Sequence, residues 1–235
     1  MNIGILYIST GPYAMFFRNF YDSVKKNFLP SDEKTFYVWT DSEDPYFNQP
    51  DVVKTYQKHL GWPRGTMNRF HQFLALEDQI NKHDFLFFFN ANIVCNRPVN
   101  REEVLPTEKD DWLCAVLHLA FSDGRRGTFE SNPDSTAYVP LDSHPPYFQG
   151  CLSGGRTPEY ISMFKTCRDN IDADDKKGIS AIWFDESHSN KYFSTRNVKR
   201  LHPGYAHPEV AWAAYSRHER VMSMLDKFSF SNFSR

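Results

Sequence analysis

The chain lacks the features that would place it in several large classes. Its four cysteines, Cys95, Cys114, Cys151 and Cys167, are widely spaced among apolar neighbours, which excludes a disulfide framework or zinc knuckle built on short paired spacings. Four buried, reduced thiols are expected. No apolar run reaches the roughly 18 residues of a membrane-crossing helix, and Met1 leads into "IGILYI" without a signal-peptide pattern, so a cytoplasmic protein is expected. Excess charge is missing too: 27 Lys and Arg against 29 Asp and Glu leave a net charge of −2. That balance predicts no nucleic-acid or membrane-surface partner, and any anionic ligand must be held by local charges. HExxH, GxSxG, a dinucleotide fingerprint and a Walker loop are all absent, which weakens metalloprotease, esterase and nucleotide-fold readings based on those motifs. No repeat, low-complexity tract or linker divides the chain, so one domain over 1–235 is expected.

What is present suits a packed core: 40% apolar and 16% aromatic residues. "IGILYIS" reads as a buried strand running into the turn "TGPY". Phe17, Phe20, Tyr21, Val24 and Phe28 form one face of an amphipathic helix. "KTFYVWTDS" is a second strand, Thr66 can cap a helix carrying Met67, Phe70, Phe73, Leu74 and Ile80 inward, and "DFLFFFNAN" is a third strand. This alternation predicts an α/β fold with a largely parallel sheet, whose ligands gather beyond the carboxyl ends of the strands, where "STGPY", "TDS" and "NAN" fall.

Later segments are less regular. "DWLCAVLHLAF" and "TAYVP" read as strands, and "YFQGCLSGG" as a strand breaking into a glycine turn. Thr157 reads as an N-cap with Pro158 at the first helical position, and residues 172–177 as a charged, solvated loop. In "ISAIWFDESHSNKYF" a helical face gathers Ile182, Trp183, Asn190 and Phe193. Glu186 falls on that face, while Asp185 is turned roughly 100° away. An inward carboxylate is costly unless paired or employed, so Glu186 is either a structural ion-pair partner or a catalytic group.

Asn90 and Asn92, read as strand residues two apart, share a face and could grip one ligand together, or could simply end a strand and begin a turn. As neutral amides they are weak ligands for a hard divalent cation, so a phosphate there would need protein cations. Arg69, Lys227 and Arg235 are candidates, against the ordinary reading of solvated surface charges. His118, after an apolar run, is either a satisfied core histidine or a ligand.

Together the segments "GILYISTGPY", "YVWTDS", "GWPRGTMNRF", "FFFNAN", "LHLAF", "FESNPDSTAYVP", "YFQGCLSGG" and "IWFDESHSNKYF", in that order, resemble glycosyltransferase family 6. These are the retaining α1,3-galactosyl- and N-acetylgalactosaminyltransferases that include the blood group A and B enzymes; the likeness is to short bacterial and phage-type members. The resemblance implies a GT-A fold, a Rossmann-like mixed sheet flanked by helices. It implies a nucleotide-binding half over 1–95, an acceptor and catalytic half over 96–215, and a tail over 216–235 closing on the diphosphate. Uridine would lie near Ile8, Ser9, Thr10 and Tyr13. Arg69, Asn90, Asn92 and Asp185 would serve the donor, Gln149 and Cys151 the choice between galactose and N-acetylgalactosamine, and Lys227 the diphosphate. Glu186 matches the catalytic glutamate. His118, Thr128, Trp183 and Glu209 would meet the acceptor.

The chain departs from the family where "NAN" replaces the metal-binding DxD, so no divalent metal or other cofactor is expected, the UDP-sugar being a substrate. Two carboxylates beside a diphosphate would repel it without a cation, and amides remove that cost. Phe184 replaces the usual histidine, and Leu119 the proline after His118. Cys151 is bulkier than glycine and tilts the donor toward galactose. The expected activity is transfer of galactose or N-acetylgalactosamine from UDP to a β-galactoside. A UDP-sugar hydrolase and a non-catalytic carbohydrate-binding protein are the alternatives.

Overall fold

The apolar run that opens the chain becomes β1 (Asn2–Ile8), buried at its five inner positions, in a computed structural model that describes residues 1–210, 217–230 and 233. The strands that follow are β2 (Glu33–Thr40), β3 (Val52–Tyr56), β4 (Phe85–Phe89), β5 (Ile93–Cys95), β6 (Leu113–Leu117), β7 (Phe148–Arg156), β8 (Lys199–Leu201), β9 (His207–Pro208) and β10 (Met222–Met224). The helices are α1 (Phe17–Asn27), α2 (Arg64–Met67), α3 (Arg69–Leu74), α4 (Glu77–Ile80), α5 (Arg101–Val104), α6 (Thr157–Lys176) and α7 (Asp185–Phe193).

Seven strands make a mixed sheet in the order β3-β2-β1-β4-β7-β6-β8. Within it β7 alone runs against its neighbours β4 and β6; the other pairings are parallel. In a second sheet β10 pairs antiparallel with β5 and parallel with β9. Period-two alternation sends the side chains of each strand to opposite faces. Ile3, Ile5 and Tyr7 of β1 and Phe85, Phe87 and Phe89 of β4 pack with Phe17, Phe20, Tyr21 and Val24 of α1. Leu6, Leu86 and Phe88 pack with Phe70 and Phe73 of α3 and with Tyr160 and Phe164 of α6 on the other side. This is the α/β arrangement, with a mixed sheet flanked by helices, that the resemblance implied. All four cysteines are free and buried. Among the described residues no helix is long and apolar enough to cross a membrane.

Several expectations fail for identifiable reasons. Thr66 is not a cap: it lies inside α2, where its hydroxyl donates to the carbonyl of Pro63 at 2.9 Å, and the stretch to Ile80 is three short helices. The "DWLCAVLHLAF" strand stops at Leu117 and turns through a 3-10 helix at Leu119–Phe121. "TAYVP" is not a strand, because buried Asp174 takes the Ser135 hydroxyl at 2.6 Å and the Thr136 N–H at 2.9 Å. That inward turn of Asp174 also explains why 172–177 is no solvated loop: α6 runs through it to Lys176. Arg156, not Thr157, is the cap of α6. The glycines of "SGG" do not break the strand but lie within β7. A Cβ on Gly154 would stand 2.3 Å from the Phe87 ring, and one on Gly155 would stand 2.7 Å from the Trp112 carbonyl. They permit close packing rather than a turn.

Candidate active site

The carboxyl ends of β1 and β4 open onto a cleft of about 1060 Å³. Ile8, Thr10, Tyr13, Arg69, Asn90, Asn92, Glu209 and Lys227 all line it. Ser9 does not: it is fully buried and donates its hydroxyl to the Tyr13 carbonyl at 3.0 Å, shaping the turn from beneath. Two lining residues escaped the sequence reading. His59 Nδ1 meets the Thr10 hydroxyl at 3.0 Å, and Trp62, 74% exposed, stands edge-on to Phe184 with ring centroids 4.9 Å apart. His59 belongs to no motif, and Trp62 lies in the segment "GWPRGTMNRF" but was given no role there, since a loop histidine or tryptophan acquires meaning only from its neighbours in space.

β4 ends at Phe89, so Asn90 and Asn92 are not alternate residues of a strand. They belong to a turn in which the Ile93 N–H donates to the Asn90 carbonyl at 3.2 Å. They reach the same cleft by the geometry of that turn and meet different partners. The Asn92 amide donates to the Leu225 carbonyl at 2.8 Å. The Asn90 backbone N–H donates to the Cys151 carbonyl at 2.8 Å, while its side chain makes no hydrogen bond among the described residues. Two neutral amides, one of them committed to the backbone, are a poor donor set for a hard dication. Among the described residues no three His, Cys, Asp or Glu side chains gather where a metal ion could be held.

Arg69, at the start of α3, is 8% exposed. It pairs with Asp185 at 3.0 Å, donates to the Gly150 carbonyl at 3.2 Å and lies over the Phe88 ring. The expectation that Asp185 turns away from the core is thus overturned. Phe184 has a φ of +52°, which ends any helix from Ile182 onward, and α7 starts afresh at Asp185. Ile182 and Trp183 stay exposed. Burial pushes the Asp185 carboxyl up, and the Arg69 charge opposes that rise.

Glu186 is the second residue of α7. Its Oε1 accepts the Tyr147 hydroxyl at 2.7 Å and its Oε2 accepts the Gly150 N–H at 2.7 Å. One residue, Gly150, therefore meets both side chains: Arg69 at its carbonyl and Glu186 at its N–H. Buried Asn190 docks the helix by treating Phe148 as a strand neighbour: Nδ2 donates to the Phe148 carbonyl and Oδ1 accepts its N–H, each at 2.8 Å. Desolvation raises the Glu186 carboxyl above its ordinary range, while the Gly150 and Tyr147 donors pull it down. Glu186 is not itself among the cleft-lining residues; it is joined to one of them, Arg69, through Gly150, and has no cationic partner among the described residues.

Around Tyr147 gather three of the residues assigned to the acceptor. Trp183, 46% exposed, donates its indole N–H to the Thr128 hydroxyl at 2.9 Å, and the His118 ring lies edge-on to Tyr147 at 5.9 Å. Glu209 is not with them; it lines the large cleft and accepts the Asp226 N–H at 2.9 Å. Cys151 is buried, which pushes its thiol up to about 12. Gln149 reaches Met224, on the cleft wall, at 3.7 Å. Lys227 lies 3.3 Å from the Tyr13 hydroxyl. Arg235 is outside the described residues. Met222–Met224 of the expected tail form β10, whose pairing with β5 and β9 ties that segment into the body of the protein.

Comparison with known proteins identifies a family. A family model described as Glycosyltransferase family 6 matches residues 1–229. An O-antigen biosynthesis glycosyltransferase of Escherichia coli is 32% identical over 212 residues, 89% of each chain. The histo-blood group ABO system transferase 2 of Rattus norvegicus is 27% identical over 212 residues, 86% of this chain and 62% of the rat protein. The globoside alpha-1,3-N-acetylgalactosaminyltransferase 1 of Homo sapiens is 27% identical over 219 residues, 87% of this chain and 60% of the human protein. The chain spans about six-tenths of the length of these last two relatives.

Proposed function

The chain belongs to glycosyltransferase family 6, and from that premise we propose that it moves galactose or N-acetylgalactosamine from a UDP-sugar to a β-galactoside with retention of configuration and without a divalent metal. The observation that carries this reading is Glu186, fixed by Tyr147 and by Gly150, the residue whose carbonyl also accepts from Arg69. A carboxylate so held can stabilise or attack an anomeric centre as positive charge develops there. Both routes give net retention.

In this reading the uracil end of the donor occupies the Ile8, Thr10 and Tyr13 side of the cleft, and the diphosphate lies toward Asn90 and Lys227. Preorganised donors and charges act most strongly where charge builds during bond breaking. Asp185 already balances Arg69, so Arg69 contributes chiefly as an oriented hydrogen-bond donor, and Lys227 carries the larger share of uncompensated positive charge. Amides at 90 and 92 spare the diphosphate the repulsion that carboxylates would impose. Trp183, His118 and Thr128 form the acceptor wall, the tryptophan face suiting the apolar side of a sugar ring.

The test is product analysis with a panel of UDP-sugars and β-galactoside acceptors, with and without EDTA. An α1,3-linked disaccharide formed equally in chelator is expected. Strict Mn²⁺ dependence overturns the metal-free part, release of free sugar alone replaces transfer by hydrolysis, and absence of UDP binding overturns the whole reading.

A further inference from the structure

The two asparagines of the turn after β4 divide the labour. We propose that Asn92 is a positioning residue, which clamps the C-terminal segment so that Lys227 is held at the cleft before any ligand arrives, and that Asn90 alone offers its side chain to the ligand. The proposal rests on the reading of Lys227 as the diphosphate's cation.

The argument begins in the second sheet. β5 and β10 pair antiparallel, with Ile93 opposite Met224, so the next pair along that ladder is Asn92 and Leu225. The Leu225 N–H donates to the Asn92 carbonyl at 2.8 Å, as a regular ladder requires. The return bond comes from the Asn92 side chain, whose Nδ2 donates to the Leu225 carbonyl at 2.8 Å. The carboxamide thus supplies the donor that a strand's backbone would give, and it extends the pairing one residue past the end of β10.

Lys227 is two residues further on. Between the clamp and the lysine, the Asp226 N–H donates to Glu209 Oε2 at 2.9 Å, and Asp226 Oδ1 accepts the Phe228 N–H at 3.0 Å. The segment from Leu225 to Phe228 is therefore fastened on one side by Asn92 and on the other by Glu209. Its lysine reaches the Tyr13 hydroxyl across the cleft, 3.3 Å away. Chemistry at position 92 explains the residue type. An aspartate has no donor for the Leu225 carbonyl and would set a carboxylate against that oxygen. Asn90 lacks any such partner among the described residues. Where a metal ion would gather ligand and protein by coordination, this chain uses an amide to hold a peptide segment that carries its own cation.

The experiment combines hydrogen exchange of the ligand-free protein with UDP titration by calorimetry, on wild type, Asn92→Ala, Asn92→Asp, Lys227→Ala, Asn90→Ala and the double variants with Lys227→Ala; thermal melts select variants that remain folded. Loss of the clamp is expected to speed exchange at 225–228 and to weaken UDP binding about three- to tenfold in both Asn92 variants. In the Lys227→Ala background Asn92→Ala is expected to add nothing, while Asn90→Ala keeps its full effect. An Asn92→Ala penalty of the same size with and without Lys227 overturns the proposal in favour of direct ligand contact, and unchanged exchange at 225–228 also overturns it. Wild-type protein that fails to bind UDP refutes the functional reading instead; the exchange arm uses no nucleotide and still decides the clamp.

Discussion

Tyr147 donates its hydroxyl proton to Glu186 across 2.7 Å, from a ring wedged among Phe121, Phe129 and His118. The phenol is therefore part of the carboxylate's electrostatic environment as well as of the wall assigned to the acceptor. Its proton helps keep an otherwise desolvated Glu186 ionised.

Replacing Tyr147 by Phe is expected to move the acid limb of the pH–rate profile to higher pH. The hydrogen bond lowers the Glu186 pKa and burial raises it, so removing the bond leaves burial less opposed. If the working form is the carboxylate, activity then disappears at a higher pH as the solution is acidified. The direction of the displacement follows from losing a donor to the charged form while burial stays. An unmoved acid limb counts against this role.

Glu186→Gln keeps the geometry, because the glutamine oxygen accepts from Gly150 while its amide donates to a rotated Tyr147 hydroxyl. Transfer is expected to fall about 10²- to 10³-fold, with the UDP dissociation constant unchanged in calorimetry. The stability effect has a definite sign. A carboxyl whose folded pKa lies above its unfolded value contributes most below the unfolded value and loses that contribution as pH rises through the folded one. The melting temperature of the variant should therefore gain on wild type as pH rises through that window, and a gap that closes instead contradicts the buried-charge account.

At Gly150 a methyl group fits only if the Glu186 side chain yields by a few tenths of an ångström. An added Cβ would lie 3.0 Å from Glu186 Oε2, with the glutamate Cβ and Cγ at 3.3 and 3.4 Å. Gly150→Ala is expected to displace the carboxylate and lower kcat about tenfold or more, leaving UDP affinity intact. Steady-state kinetics beside UDP titration separates this from general damage, which would depress both.

The Arg69–Asp185 pair is a buried ion pair. Asp185→Asn and Arg69→Met should each cost about 3–5 kcal/mol in urea unfolding, since each strands one buried charge, and the double variant should lose less than the sum. For Arg69→Met the loss should shrink on acidification, as the unpartnered Asp185 takes up a proton. Additive losses would show that the two side chains do not sense each other.

The sequence made the sheet legible because its inner strands are continuous apolar runs, and α1 because its stripe keeps helical spacing. Asn90, Arg69, Tyr13 and Lys227, singled out through motif order, all line the cleft. Other features depend on contacts that no local pattern encodes. Asp185 was misplaced because the helix was extended through Phe184, where a φ of +52° breaks it; a phenylalanine gives no warning of that. Tyr147 is one of 12 tyrosines and becomes distinctive only when α7 docks on β7 through Asn190. Gly150 is indistinguishable in sequence from the glycines at 154 and 155, which serve packing rather than the site. Asn92 was recognised as special, but its partner Leu225 lies 133 residues away, beyond any spacing argument.

β7 runs against both of its neighbours in the large sheet, and this orientation reverses which end of the strand lies where β1 and β4 end. Parallel strands deliver loops there, whose shapes can drift with every insertion. β7 instead delivers its own beginning, where its register with β6 shifts between Ala115 and Leu117 and the Gly150 N–H is directed to Glu186 rather than to a neighbouring strand. Under the proposed function, tolerance to change is thereby partitioned: residues from 118 to 146 are open to remodelling, while Glu186 takes its orientation from a strand pinned to its neighbours at Phe148 and from Leu152 onward.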